Sequence, residues 1–169
     1  MSEQLPDAQN SLSKVKFRES VLAVQNGLQA AMDSGKLESK LGECIITHYF
    51  TPIDENYGCC AYARKFFLPK GVLAIGKIHK HQHLNFIMQG SVYVSTEHGK
   101  KFYKAPEVFV SEIGLKRAVW GIEDTIWVTV HLTKHVGEEN LDKIEEEIIA
   151  KSYDEIGLID SVSRLVEAK

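Results

Sequence analysis

Apolar and polar positions alternate along this chain in three regimes. From Lys16 to Met32 the apolar residues Val21, Val24, Leu28 and Ala31 recur at helical spacing, and Asp33, Ser34 and Gly35 end the run, which predicts a helix. Gly27 weakens its middle. The polar stretch before it, residues 1–14 with Pro6, Asn10 and Ser11, reads as a flexible tail. At Cys44 the period changes. Short β-type runs follow at Cys44–Phe50, Tyr62–Leu68, Val72–Ile78, Leu84–Met88, Ser91–Thr96, Lys101–Lys104, Val108–Ser111, Arg117–Trp120 and Thr125–Leu132, separated by turn signals such as Pro69-Lys70-Gly71 and His98-Gly99. Short strands at intervals of about ten residues predict an all-β barrel or sandwich.

After Thr133 helical spacing returns. Leu141, Ile144 and Ile148 form one stripe, with Glu145, Glu146 and Glu147 on a solvated face. Ser152 to Glu155 matches a capping box, and Val162, Leu165 and Val166 mark a last amphipathic stretch. The division expected is residues 1–43 as tail and packing helix, 44–133 as the β domain, and 134–169 as C-terminal helices.

Composition narrows the function classes. The chain has 169 residues, 44% of them hydrophobic, and a formal net charge of −3. That suits one domain with a proper core and argues against a nucleic-acid polymer as partner. No apolar run reaches membrane-spanning length, and the segment Met1–Ser13 lacks the apolar centre of a signal peptide. Cys44, Cys59 and Cys60 are odd in number and two are adjacent, which fits reduced thiols in a cytoplasmic protein better than a disulfide framework.

Histidines carry the candidate chemistry. There are seven: His48, His79, His81, His83, His98, His131 and His135. Period-two spacing on a strand puts His79, His81 and His83 on one face, and His131 ends what reads as a core strand. Neutral imidazoles ligate zinc, iron, copper and nickel, and several of them buried together are costly without a partner such as a metal. An exposed strand with a surface histidine patch is the competing interpretation. No Cys-x-x-Cys or His-Glu-x-x-His pattern offers another metal site.

The stretch Gly76–Gly90, GKIHKHQHLNFIMQG, resembles the first motif of the cupin superfamily, with His79-x-His81 as the pair and Gly90 as the closing glycine. Ala105–Trp120, with Gly114 in its turn, resembles the second. With KRAVWGIEDTIWVTVH, the segment is most similar to small uncharacterised single-domain cupins of tailed bacteriophages. The resemblance implies a mainly β fold, a jelly-roll-like double-stranded β-helix barrel with flanking N- and C-terminal helices. It implies a divalent metal (Fe, Zn, Ni or Mn) held by His79, His81, His83 and His131, and a homodimer in the host bacterial cytoplasm. Two positions depart from the pattern: the glutamate of the first motif is absent, its place falling on His83 or Asn85, and Arg117 stands where the second has histidine.

Arg117 suits a small anionic ligand, carboxylate or phosphate, or alternatively a salt bridge to Glu112 or Asp124. Glu112 is the candidate general base or a rim carboxylate. Tyr93 and Trp120, like Tyr103 and Trp127, could stack on a ligand ring or fill the core. His98 and His135 belong to turns or connections, and His48 receives no role. Three function classes follow: a metal-dependent enzyme of dioxygenase, isomerase or hydrolase type; a metal-free binding protein that sequesters a small molecule or nucleotide, with Lys116 and Lys77 beside Arg117, as a phage counter-defence; and a structural protein dimerising through Leu141, Ile144 and Ile148.

Overall fold

The computed structural model describes residues 7–167. In chain order it contains α1 (Asp7–Asp33), β1 (Ile45–Phe50), β2 (Cys60–Leu68), β3 (Leu73–Ile75), β4 (Ile78–His79), β5 (His83–Gln89), β6 (Ser91–Thr96), β7 (Gly99–Lys104), β8 (Glu107–Ser111), β9 (Ala118–Gly121) and β10 (Thr125–Thr133). Then come α2 (Leu141–Ile148), β11 (Ile149–Ala150) and α3 (Val162–Glu167). Short 3-10 turns at Leu41–Glu43, Glu138–Asn140 and Tyr153–Ile156 connect them.

The strands form three antiparallel sheets: β1-β2-β10-β5-β8, β3-β9-β6-β7, and the pair β11-β4. This corrects the expectation of a mainly β jelly-roll barrel. The fold is a mixed α/β arrangement of three open sheets, and none closes on itself. Closure requires hydrogen bonding between edges. Here β1 and β8 are free edges of the larger sheet, and β3 and β7 are free edges of the smaller one.

The chain crosses between the two larger sheets at Gly90, where β5 ends and β6 begins. Its φ of 76° is open to glycine, and a Cβ there would collide with the Asp124 carbonyl oxygen. The core lies between these sheets. Leu68, Ile87 and Trp127 enter from one side, and Val92, Val94 and Val119 from the other.

The predicted helix at Lys16–Met32 begins earlier, at Asp7, so residues 7–14 of the expected tail are helical; residues 1–6 lie outside the described ones. Helix α1 buries Val15, Arg18 and Val21, while Val24 faces solvent. Arg18 explains the anchoring. Its Nε and Nη2 donate to the two Glu97 carboxylate oxygens at 2.6 and 2.8 Å, and Nη1 donates to the Ile159 carbonyl at 2.9 Å. Its guanidinium also lies 5.0 Å from the Tyr153 ring centre. One buried cation thus ties α1 to the β6–β7 turn and to the C-terminal segment.

The predicted Leu141–Ile148 stripe is helix α2. Ile144 and Ile148 pack on Tyr62 of β2, so this face is consumed within the chain. The predicted capping box fails: Ser152 makes no side-chain cap, and only a 3-10 turn follows. The single strand expected over Val72–Ile78 is split into β3 and β4. That break matters, because β4 leaves the sheet of β3 and pairs with β11 instead, with Ile149 opposite His79 and Ala150 opposite Ile78.

Candidate metal centre

Three imidazoles converge in the interior. His79 comes from the end of β4, His83 from the start of β5, and His131 from near the end of β10. Alternation on β10 turns Trp127 and His131 inward, and alternation on β5 turns His83, Asn85 and Ile87 inward. The backbone of β4 is fixed on both sides. The Lys80 amide donates to the Ile148 carbonyl at 2.9 Å, and the Gly114 amide donates to the His79 carbonyl at 2.9 Å.

One ring nitrogen of each histidine lies within 4.8 Å of the corresponding atoms of the other two. Ring centres are 4.2 Å apart for His79–His83, 4.4 Å for His83–His131 and 5.1 Å for His79–His131, the last pair nearly parallel. Their exposures are 8, 4 and 5%. Among the described residues no Asp, Glu or Cys joins this group.

The electrostatics keep these rings neutral. Burial, then His83 and His131, then Arg117 and Arg64, push His79 down to about 2. Burial and Arg117 push His83 down to about 4, against a contrary effect of the His81 carbonyl. Burial, His83 and the two arginines, with His81, push His131 down to about 3. At neutral pH each ring therefore keeps a lone pair. The Nδ1 of His83 donates to the His81 carbonyl at 3.3 Å, which leaves Nε2 as the unprotonated atom.

Two nitrogens, His79 Nδ1 and His83 Nε2, are buried without a hydrogen-bond partner. A buried orphan nitrogen is expensive, and a cation that takes both lone pairs removes that cost. The three histidines form a cluster able to bind a divalent metal. Three nitrogen donors leave coordination positions open, as catalytic metal sites do.

His81 stands apart from the three. The chain bends at Lys80–His81 rather than continuing as a strand, so period two does not run through the triplet, and the His81 side chain is exposed. Arg117 is buried, with its guanidinium 5.8 Å from the Phe109 ring centre and 5.6 Å from that of Trp127. Its Nη2 has no partner, and it forms neither of the salt bridges considered for it. Burial lowers it to about 10, so it remains a cation at neutral pH.

Glu112 is an exposed rim carboxylate that accepts from His98 Nε2 at 3.0 Å. It shares with Arg117, Tyr103 and Phe109 the wall of a cavity of about 380 Å³. Asp124 accepts from the Lys70 amide instead. Tyr93 and Trp120 are register partners on an exposed face of the smaller sheet, and the Lys100 ammonium lies 4.0 Å from the Tyr93 ring centre. Lys77 pairs with Glu145 at the surface, and Lys116 is buried.

Several inward residues were not singled out by sequence reasoning. His48, Arg64, Thr129, Asn85 and Phe109 lie side by side across the five strands of the larger sheet, as successive cross-strand partners. Asn85 accepts from Trp127 Nε1 at 3.0 Å. Tyr62, register partner of His131, hydrogen-bonds its hydroxyl to His48 Nδ1 at 2.7 Å. His48, Tyr62, Arg64 and His131 line a second cavity, of about 230 Å³, beside α2. The available signal was alternation: Arg64 lies between inward Tyr62 and Phe66, and Thr129 between inward Trp127 and His131.

No family model matches the chain, and no curated protein matches it. Among solved structures it is similar to KdgF from Halomonas sp., at 13% identity over 60% of this chain and 88% of that one, with a TM-score of 0.45. A cupin superfamily protein from Desulfitobacterium hafniense is similar at 12% identity over 57 and 83% of the two chains, TM-score 0.45. A Cupin 2 conserved barrel domain protein from Leptotrichia buccalis is similar at 11% identity over 60 and 46%, TM-score 0.46. Likeness at this level transfers no function. No phage homologue accompanies these.

Proposed function

We propose that this protein binds one divalent transition metal through His79, His83 and His131 and presents its open coordination positions to a small anionic ligand, as a metal-dependent enzyme acting on that ligand. The observation that carries this reading is the buried trio of neutral imidazoles with two nitrogens lacking any partner. A bound metal would supply Lewis-acid polarisation of a ligand oxygen or an activated water. The chain itself supplies the rest. The His81 carbonyl holds the tautomer of His83, the sheet walls keep bulk water from the donors, and Arg117 offers a buried cation to the ligand.

A metal-free binding protein is the second reading, favoured by the unpartnered Arg117 Nη2, which asks for an anion whether or not a metal is present. Metal content of untagged protein, measured by elemental mass spectrometry beside a His79→Ala, His83→Ala double variant, tests the first. Near-stoichiometric metal that disappears in the variant supports it. Metal-free protein that stays so after reconstitution overturns it and leaves the second.

A further inference from the structure

The cavity beside α2, of about 230 Å³, has two unlike walls. Leu141 and Ile144 of α2 and Ile46 of β1 line one with hydrocarbon. The other is polar and comes from inward positions of β1, β2 and β10, where His48, Tyr62, Arg64 and His131 line the same space.

Most polar groups of this cavity already have partners. The Tyr62 hydroxyl and His48 Nδ1 share a hydrogen bond of 2.7 Å. At the rim Lys77 pairs with Glu145. Arg64 is different. It is half-buried, its guanidinium carbon lies 5.9 Å from the Phe66 ring centre, and it has no hydrogen-bond or salt-bridge partner among the described residues. It is therefore the one charged residue lining the cavity without a counter-ion. A guanidinium withdrawn from water asks for an anion, and its planar fork matches a carboxylate.

The same cavity reaches the histidine cluster. His131 lines it, and Tyr62, the register partner of His131, stands two positions before Arg64 on the same face of β2. Size and polarity narrow the ligand. A volume of about 230 Å³ equals about seven or eight waters at about 30 Å³ each, room for a ligand of about that many heavy atoms. A second anionic group on it would meet the hydrocarbon wall or Glu145.

We propose that the cavity beside α2 binds a small aliphatic monocarboxylate, with its carboxylate on Arg64 and its hydrocarbon body against Leu141, Ile144 and Ile46. This deepens the metal reading, because it brings the ligand to the cluster at His131. Binding itself rests on Arg64 and the apolar wall and needs no metal.

Calorimetric titration tests the site with isovalerate, a branched short-chain acid of the required size. Acetate lacks the hydrocarbon body, and isovaleramide lacks the charge. The titrations use wild type, Arg64→Gln, Ile46→Trp and Lys65→Gln, each with metal removed and with metal restored. Isovalerate should bind the metal-free wild type at least about tenfold more tightly than acetate or isovaleramide, since each lacks one half of the recognition. Arg64→Gln should lose about tenfold or more, the scale of a charge-assisted pair. Lys65→Gln removes the same charge from the outer face of β2, where its ammonium lies 5.7 Å from the Tyr49 ring centre, and should stay within about threefold of wild type. Ile46 is 45% exposed, so Ile46→Trp should fold as wild type does while its larger side chain narrows the cavity, with a loss of about tenfold or more. That variant decides the matter if Arg64→Gln does not fold. No isovalerate binding, equal binding of isovaleramide or acetate, or wild-type affinity in a folded Arg64→Gln or Ile46→Trp would overturn the proposal. Isovalerate binding to a protein that takes up no metal would leave the site standing and remove the metal reading.

Discussion

His83 donates its Nδ1 proton to the backbone carbonyl of His81 at 3.3 Å, so His81 serves the cluster through its main chain while its side chain points to solvent. A histidine two positions away thereby selects the tautomer that frees His83 Nε2 for a metal. Replacing the His81 side chain leaves that carbonyl in place. His81→Ala should keep metal affinity within about threefold of wild type, whereas His83→Ala should lose about a hundredfold or more, the difference between a surface side chain and a ligand. Competition titration against a chromogenic chelator measures both, and equal losses would contradict this assignment.

The depressed pKa values set a pH dependence for the metal-free protein. In the unfolded chain each histidine titrates near its ordinary value of about 6.5. In the folded state His79, His83 and His131 fall to about 2, 4 and 3. Between those limits the unfolded state binds more protons, so stability is fully present above pH 6.5 and is lost as the pH falls toward 4. Three such groups should lower the unfolding free energy by on the order of 4 kcal/mol between pH 7.5 and 5.5. Urea unfolding at the two pH values checks it; an unchanged midpoint would show rings that protonate in place.

Strand β11 is predicted to matter for metal uptake although it contributes no ligand. Ile149 has φ −113°, and its amide donates to the Glu145 carbonyl while the residue pairs with His79. Ile149→Pro removes that donor and requires a φ near −65°. The forced φ turns the β11 backbone away from β4 and weakens the Lys80 to Ile148 hydrogen bond between them, and metal affinity should fall by about tenfold to a hundredfold, the range for residues that support a ligand. Circular dichroism of the variant should stay close to wild type, since the core between the larger sheets does not include β11.

The Arg18–Glu97 pair is buried on both sides, with side-chain exposures of 8 and 9%. Removing one partner strands a charge. Glu97→Ala should cost about 3–5 kcal/mol, and an Arg18→Met, Glu97→Leu double variant should recover most of it. A thermodynamic cycle from urea unfolding would show the coupling, and additive losses would show none.

The sequence makes the histidines visible and hides their arrangement. Clustering and the terminal position of His131 on a core strand single out the three imidazoles that the fold brings together, but strict alternation through His79-Lys80-His81-Gln82-His83 assumes a strand that the structure bends at Lys80–His81. The bend arises from a long-range pairing, β4 with β11, whose partners are about 70 residues apart and carry no local signal. Strand positions were legible because alternation and turn residues are local properties. Closure was not, because an edge is decided by which strands meet, and the spacing of strands along the chain says nothing of that. Arg18 escaped notice for a related reason: a charged residue on a helix reads as solvated until Glu97 is brought to it from 79 positions away.

The pairing of β11 with β4 also orders events in time. His79, His83 and His131 all leave the ribosome before Ile149, so a growing chain holds all three imidazoles of the cluster before it holds the strand that seats one of them. Until α2 and β11 emerge, the three imidazoles belong to an incomplete scaffold, and a metal bound there would be captured only after α2 docks on Tyr62.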